Sequence, residues 1–137
     1  LYYGISGWGL ANLKFFARLQ NEQYLEKAIE AGDYLVKTLL KDEKGYYSST
    51  EHGIPLGFQF GSSGISVFLL YLYLATRNQI YFEIGSQTLG FDINNASPNI
   101  EGGISWKRYV DQGRIVYPYF GQGSAGVGVA AIKYYRL

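Results

Sequence analysis

The sequence has no cysteine, no methionine and a single histidine among its 137 residues. Without cysteine the chain cannot form a disulfide framework, and it offers no thiolate to a metal. One imidazole does not complete a zinc site, which requires three or four nitrogen or sulfur ligands. We therefore predict that the chain holds no catalytic zinc by itself. Because methionine is missing even at position 1, we expect the chain to be a fragment of a longer polypeptide.

Charge and long apolar runs are also scarce. Charged residues make up 17% of the chain, the formal net charge is +1, and like charges do not form blocks. This pattern indicates neither a nucleic-acid partner nor an anionic membrane surface. The longest apolar stretch, residues 65–75, is too short for a bilayer, which needs about 20 such residues. We expect a cytoplasmic domain with no membrane partner.

A Gly-x-x-Gly turn occurs three times in the sequence, at residues 4–7, 61–64 and 123–126. The first two copies stay in step without a gap, so that Asn21 corresponds to Asn78 and Tyr24 to Tyr81. Such self-similarity at a long period is typical of a repeat architecture. We assign structural roles to the six glycines of these turns, Gly4, Gly7, Gly61, Gly64, Gly123 and Gly126.

Two kinds of helix follow the turns. Residues 65–75 are apolar on every side of a helical wheel, which is typical of a buried helix. Residues 22–40 instead carry one apolar stripe and one charged face, as expected of a helix with one side in water. Each repeat therefore reads as an inner helix, an outer helix and a return loop. The predicted helices are residues 7–19, 22–40, 63–77, 79–89 and 125–136, the first, third and fifth being the more buried.

The second return loop, residues 90–121, is long for a compact domain, and long loops are often functional. Within it, residues 104–110 and 114–119 predict a β-hairpin closed by a three-residue loop.

Alternating inner and outer helices predict an all-α fold, an α/α toroid with its inner helices around an axis. Every Gly-x-x-Gly turn precedes an inner helix, so the three turns should lie at the same end of the ring. The repeats, which begin near residues 4, 61 and 123, make a partial ring of about two and a half hairpins. An open ring exposes apolar helix faces, and such patches drive association. A homo-oligomer is therefore possible for the isolated chain.

The sequences around the three turns resemble repeats of the lanthionine synthetase C-like family. They read Tyr-Gly-Ile-Ser-Gly-Trp-Gly-Leu, Gly-Phe-Gln-Phe-Gly-Ser-Ser-Gly-Ile and Tyr-Phe-Gly-Gln-Gly-Ser-Ala-Gly-Val-Gly. The third is most similar to the cyclase domain of the kinase–cyclase fusions, the class III lanthipeptide synthetases. The resemblance covers residues 1–137. It implies a fragment of a cyclase domain whose complete ring has seven hairpins, and a fragment that is inactive in isolation.

The sequence departs from the zinc-dependent members of that family at the positions of their ligands. Cysteine and histidine precede the first glycine of the turn in those proteins. The matching positions here are Tyr2, Tyr3, Gln59, Phe60, Gly121 and Gln122. None of these side chains is a thiolate or an imidazole. The resemblance therefore implies a zinc-independent enzyme, as in class III.

The reaction implied by the resemblance is a Michael addition. A peptide cysteine thiol attacks dehydroalanine or dehydrobutyrine, and a thioether ring closes. The catalytic candidates are His52, Arg108 and Tyr117, as base, cationic group and proton donor, with Tyr119 as a second possible donor. The alternative for His52 and Arg108 is a solvated loop position. The substrate-binding candidates are Tyr3, Phe60, Gln122, Trp106 and Tyr119, which alternatively line or pack the ring.

The family also implies the partners of the chain. They are a precursor peptide, made of a leader and a dehydrated core, and the kinase and lyase domains of the parent polypeptide. ATP or GTP is expected only in that kinase domain, so no cofactor is expected in this fragment.

Two further function classes stay open from the sequence. A helical ring can recognise a peptide without catalysis, as solenoids do. Barrels of paired helices also include glycan-processing enzymes, which use two carboxylates. The carboxylates that we assign to loops here are Glu51, Asp92, Glu101 and Asp111, and none of them recurs with the repeat.

Overall fold

The computed structural model describes residues 4–99, 101–111, 113 and 115–137. Its helices are α1 (Ile5–Leu19), α2 (Glu22–Thr38), α3 (Ser62–Thr76), α4 (Gln79–Asn94) and α5 (Ser124–Tyr135). Two short antiparallel pairs accompany them, β1 (Leu40–Asp42) with β2 (Gly45–Tyr47), and β3 (Ser97–Pro98) with β4 (Ile104–Ser105). The prediction of a mainly helical protein is confirmed.

Helix α3 is the centre of the packing. It packs against α4, its partner in the same repeat, and against α1 and α5, the first helices of the repeats before and after it. Helix α2 packs on α1 in the same way, and Tyr81 on α4 donates a hydrogen bond to Asp33 on α2 at 2.7 Å. The main core consists of Leu13, Ala28, Ala31, Leu35, Ile65, Phe68, Leu69, Leu72 and Tyr81.

The predicted contrast between α3 and α2 is confirmed. Ten consecutive or near-consecutive positions of α3, between Ser62 and Leu72, are buried, whereas α2 buries only one stripe. The prediction that α1 and α5 are also more buried than the outer helices is wrong. Trp8 and Phe15 on α1 are 49% and 53% exposed, and Ile132 on α5 is 52% exposed. The outer helix α4 buries six residues, whereas α1 buries four and α5 three. Among the described residues, α3 has a neighbouring first helix on both sides, whereas α1 and α5 each have one on a single side.

Helix α4 continues to Asn94, five residues beyond the predicted end at residue 89. Asp92, which we assigned to a loop, is therefore helical, and it is fully buried. The helix predicted from the sequence stopped just before Gly90, and glycine is a weak helix former. In the structure, packing of Leu89 and Phe91 into two core clusters holds the last turn of the helix.

The predicted hairpin is only partly present. Lys107 pairs with Val116 through an isolated bridge, and the Tyr117 amide donates to the Trp106 carbonyl at 2.9 Å. The regular strand is instead β4, which pairs with β3 upstream of it. Residue 112, in the predicted hairpin loop, and residue 114, the first of the predicted second strand, lie outside the described residues. Residues of the predicted first strand pair with β3, with Pro55 and with Val116. The described residues of the two predicted strands therefore do not form a continuous ladder with each other.

The repeat is visible in the backbone at the ends of the paired helices. Helices α1 and α3 both end at a residue in the left-handed region, Gln20 with φ 53° and Arg77 with φ 59°. The next residue caps the following helix in both repeats. Asn21 accepts a hydrogen bond from the Gln23 amide at 3.0 Å, and Asn78 accepts one from the Ile80 amide at 3.2 Å.

We expect Asn21→Ala to lower the free energy of unfolding by about 1 kcal/mol, because the side chain satisfies an amide that has no partner inside the helix. Urea unfolding followed by circular dichroism measures the change. Asn21→Asp is the matched control, since it keeps the acceptor oxygen and should keep the stability. Equal losses in both variants would contradict a capping role.

Candidate functional site

The starts of α1, α3 and α5 lie at the same end of the helix array. The Gln59 amide, just before the second turn, donates to the Gly121 carbonyl, just before the third turn, at 2.7 Å. The starts of α1 and α3 line one cavity together. We call this end of the molecule the turn end.

The cavity between the first two turns, which we call the turn cavity, has a volume of about 600 Å³. Its lining side chains carry hydroxyl, amide and apolar groups, and none of them carries a formal charge at neutral pH. They belong to Ile5, Ser6, Tyr34, Leu35, Thr38, Leu40, Ser48, Ser49, Gln59, Phe60 and Ile65, with Gly4 completing the wall. Such a mixed and uncharged lining suits an uncharged peptide segment better than a phosphate or a metal ion.

The Asp92 side chain on α4 accepts hydrogen bonds from residues in and before the second turn. One carboxylate oxygen, Oδ2, accepts hydrogen bonds from the Gly57 amide at 3.0 Å, the Ser63 amide at 2.8 Å and the Ser63 hydroxyl at 2.5 Å. The carboxyl group therefore lies at the positive end of α3 and satisfies amides that have no partner within the helix. We call this arrangement the Asp92 junction.

The junction also joins the long loop to the helices. The indole N–H of Trp106 donates to the Asp92 carbonyl at 2.6 Å, and its ring packs in a core cluster with Leu56, Phe91 and Val127. The four residues of the cluster come from a return loop, α4, the long loop and α5. The shape of the turn end is thus set by contacts between segments that are distant in the sequence.

Burial raises the pKa of Asp92 to about 6, although hydrogen bonds from Ser63 and Gly57 act in the opposite direction. The Gly57 amide, the Ser63 amide and the Ser63 hydroxyl all donate to Oδ2. The other oxygen, Oδ1, and the hydroxyl of Ser62 are buried without a hydrogen-bond partner among the described residues. Removing a carboxylate from water without full compensation favours its neutral form.

We therefore expect the stability contributed by Asp92 to decrease as the pH rises. The folded-state pKa of about 6 lies above the ordinary value of 3.8. The contribution is full below pH 3.8, where both states are protonated, and it is lost as the pH rises through about 6. Relative to Asp92→Asn, which does not titrate, the wild type should lose about 2 kcal/mol of unfolding free energy between pH 4.5 and 7. Urea unfolding of both proteins at the two pH values tests this; parallel pH profiles would contradict it.

Of the substrate-binding candidates, Phe60 lines the turn cavity and is 41% exposed. Gln122 is half-buried beside the third turn, and Tyr119 is 67% exposed on the long loop. Trp106 is a core residue whose N–H is already bonded, so little of its surface is open to a ligand. Tyr3 lies outside the described residues.

The structure does not bring the three catalytic candidates into either large cavity. His52 is exposed in the turn between Thr50 and Gly53 and lies 3.4 Å from the Glu51 carboxylate. The exposed guanidinium of Arg108 stacks over the Tyr109 ring. Tyr117 is half-buried, with its ring 6.3 Å from that of Tyr119. Their catalytic roles stay predictions.

Several glycines of the turns are needed for close approach of another segment. A Cβ at Gly61 would lie 2.5 Å from the Leu56 backbone, and one at Gly126 would overlap the Phe120 carbonyl. Gly123 has φ 104°, and a Cβ there would overlap the Tyr117 carbonyl. These three glycines let the return loops pack directly on the helix starts. At Gly4, by contrast, an added Cβ would have no described atom within 4 Å, so close packing does not require glycine there.

A second concavity, the inner groove, has a volume of about 810 Å³ and runs between α1, α3 and α5. It contains a polar pair that sequence reasoning missed, Lys133 on α5 and Tyr71 on α3, 2.6 Å apart. Tyr71 lies inside the apolar run of α3, at a position where the helical pattern predicts an ordinary core residue. No local signal in the sequence links it to Lys133.

Within the part of the chain that the structure describes, no group of three or more histidine, cysteine or carboxylate side chains is arranged to hold a metal ion. In the same residues, no helix combines the length and the apolar character needed to cross a bilayer.

Residues 1–137 match the family model described as lanthionine synthetase C-like protein. A search of curated proteins finds no match to the chain.

Proposed function

The chain belongs to the lanthionine synthetase C-like family, and on that premise we propose that it is part of a cyclase domain that forms thioether rings in peptides. The substrate is a peptide in which serine or threonine has already been dehydrated. A cysteine thiol of the same peptide adds to the dehydro residue. The turn end is the place where the peptide binds.

The observation that carries this proposal is the uncharged turn cavity at the meeting point of the helix starts. A dehydrated peptide segment is uncharged and carries amide groups beside small apolar side chains. Hydroxyl groups such as those of Ser48 and Ser49 match its amides, and Phe60 and Ile65 match its apolar parts. A pocket with few polar groups on an apolar lining is typical of small-ligand and peptide segments.

The chemistry requires positioning more than strong acids or bases. The thiol and the dehydro residue are parts of one peptide, and holding them together makes their reaction effectively unimolecular. A lining that excludes water also protects the enolate formed by the attack. The Asp92 junction keeps one wall of the cavity in place, because Gln59 and Phe60 lie between two of the segments that it joins.

The zinc site of other family members does not fit this chain. The side chains that precede the second and third turns are those of Gln59, Phe60 and Gln122, and Gly121 has none. An amide and an aromatic ring are not zinc ligands of the required kind. We therefore propose a zinc-independent cyclase of the class III kind, acting on a precursor peptide in the cytoplasm. The kinase and lyase domains of the parent would supply the dehydrated peptide, and ATP or GTP would bind in that kinase domain.

A second candidate function is non-catalytic binding of a peptide. The observation that favours it is the lining of the turn cavity, where Tyr34 is the one titratable side chain among the lining residues. Such a cavity can hold a peptide without assisting the transfer of a proton.

The experiment that separates these functions uses the full-length protein and a dehydrated peptide with one cysteine. Loss of the free thiol is measured by alkylation and mass spectrometry, and binding by fluorescence anisotropy. Catalysis predicts faster loss of the thiol than in buffer, whereas binding without such acceleration supports the scaffold. A peptide with alanine in place of the dehydro residue is the matched control, since it should bind but keep its thiol.

A further inference from the structure

The inner groove begins at the turn end and extends along the helices. Phe58, whose ring lies 4.7 Å from that of Phe120, forms its start. The groove is lined by Leu10, Leu13, Lys14, Phe16, Ala17, Gln20, Phe58, Val67, Tyr71, Leu74, Ala75 and Lys133. This lining is mainly apolar and includes two lysines but no carboxylate. Neither lysine therefore has an acidic partner within the groove.

The Lys133–Tyr71 pair is the polar feature of this groove. The Lys133 ammonium donates to the phenolic oxygen of Tyr71 at 2.6 Å and lies 5.2 Å from the centre of its ring. An ammonium group has only donors, so the oxygen of Tyr71 is the acceptor and its own proton remains to be donated. The structure gives that proton no acceptor among the described residues. The pair thus presents an unused phenolic proton to an apolar groove.

We propose that Tyr71 and Lys133 are the proton-transfer pair of thioether formation, with the dehydrated peptide reaching from the turn end into the inner groove; this inference rests on the proposed function. Tyr71 is the acid that protonates the product carbon. Lys133 returns a proton to Tyr71 and regains one from water. Water also takes the proton that the thiol loses, so the reaction as a whole neither gains nor loses a proton.

The peptide thiol gives its proton to water and becomes a thiolate. The thiolate forms a carbon–sulfur bond to Cβ of the dehydro residue, the carbon–carbon double bond breaks, and its electron pair moves onto the neighbouring carbonyl as an enolate. The phenolic proton of Tyr71 is transferred to Cα, which restores the carbonyl. Lys133 then reprotonates the phenolate of Tyr71 and regains a proton from water, so the protons balance and no oxidant or reductant is consumed.

The position of the pair suits this chemistry. Tyr71 lies seven residues after Gly64 on α3 (71 − 64), which is about 10 Å along the helix axis. A peptide loop entering past Phe58 therefore reaches the pair without leaving the groove. Away from bulk water, an ammonium group stabilises a developing enolate more strongly than it would at the surface.

The alternative is a packing role, in which the hydrogen bond only satisfies the phenol of a residue that also contacts the core. The two explanations make different predictions for variants that keep the shape of the ring. Tyr71→Phe removes the proton and leaves the packing, and Lys133→Met removes the ammonium group and leaves most of the side-chain volume.

We test the proposal in the full-length protein with the dehydrated cysteine peptide. Tyr71→Phe and Lys133→Met should each lower the rate of thiol loss by about 100-fold or more, as expected for a general acid. Binding of the peptide, measured by anisotropy, should change by less than threefold. The matched controls are Tyr73→Phe, on the same helix, and Lys37→Met, an exposed residue of α2 outside the groove; both should keep the wild-type rate.

A further variant separates proton transfer from charge alone. Lys133→Arg keeps the positive charge but does not release a proton near neutral pH. It should stay as slow as Lys133→Met, and full recovery of the rate with arginine would overturn the relay. If the wild type is active and Tyr71→Phe loses the thiol at a rate within threefold of it, the role of the pair is overturned. The proposed function is then unaffected. A wild type that binds the peptide without consuming its thiol overturns both.

Discussion

Replacing Asp92 by alanine should lower the free energy of unfolding by roughly 4 kcal/mol. The change leaves the Gly57 amide, the Ser63 amide and the Ser63 hydroxyl without their acceptor in a fully buried place. Each buried polar group that loses its partner costs about 1–3 kcal/mol. Water that enters the vacated space offsets part of this cost. Urea unfolding monitored by circular dichroism at pH 7 gives the value.

Asp92→Asn is the control for this prediction. Because the three donors converge on one oxygen, the amide oxygen of asparagine can replace it, and the amide nitrogen takes the place of the oxygen that has no partner. Asparagine also removes a buried charge. We expect it to lie within about 1 kcal/mol of the wild type, since polar contacts are kept. An alanine variant as stable as the asparagine variant would show that the junction does not organise the turn end.

Two glycines in α5, only two residues apart, should respond in opposite directions to the same substitution. Gly126→Ala places a methyl group against the Phe120 carbonyl and 2.6 Å from Cβ of Phe58. Because both neighbours are close to the backbone, they cannot move without shifting the loop that carries them. Overpacking of this kind costs about 1–3 kcal/mol or more. We expect a loss of about 3 kcal/mol in unfolding free energy.

Gly128→Ala is the matched control, because no described atom lies within 4 Å of the added Cβ. Alanine is favoured over glycine in a helix by about 1 kcal/mol, so this variant should be more stable than the wild type. The two variants should therefore differ by about 4 kcal/mol in urea unfolding. Equal effects would mean that the third turn does not pack closely on the helix start.

Both predictions bear on the proposed function through the turn end. Asp92→Ala and Gly126→Ala disturb the walls of the cavities without touching the Lys133–Tyr71 pair. In assays of the full-length protein, we expect them to weaken peptide binding. Variants of the pair should instead slow the reaction of bound peptide, so the two groups of variants are distinguishable.

The sequence by itself determined the features that depend on local physics. Periodicity distinguished α3 from α2, because a helix that is apolar on every side needs neighbours on every side. The caps of α2 and α4 are equally local, since Asn21 and Asn78 each accept a hydrogen bond from an amide two positions further along the chain. The in-step repeat also predicted that successive helix starts would meet at one end.

Only the tertiary structure decided which polar groups meet. Asp92 bonds to Ser63 across 29 positions of the chain, and Lys133 bonds to Tyr71 across 62. No periodic signal encodes such pairs, because each partner alone occupies an ordinary position. Asp92 lies in the last turn of an outer helix, and Tyr71 lies in an apolar run. The exposure of α1 and the shared pairing of the long loop were likewise missed, since both depend on how many neighbours a segment has rather than on its own pattern. Local propensity sets where helices begin and end, but the chemistry of the turn end arises from contacts that form only when distant repeats pack together.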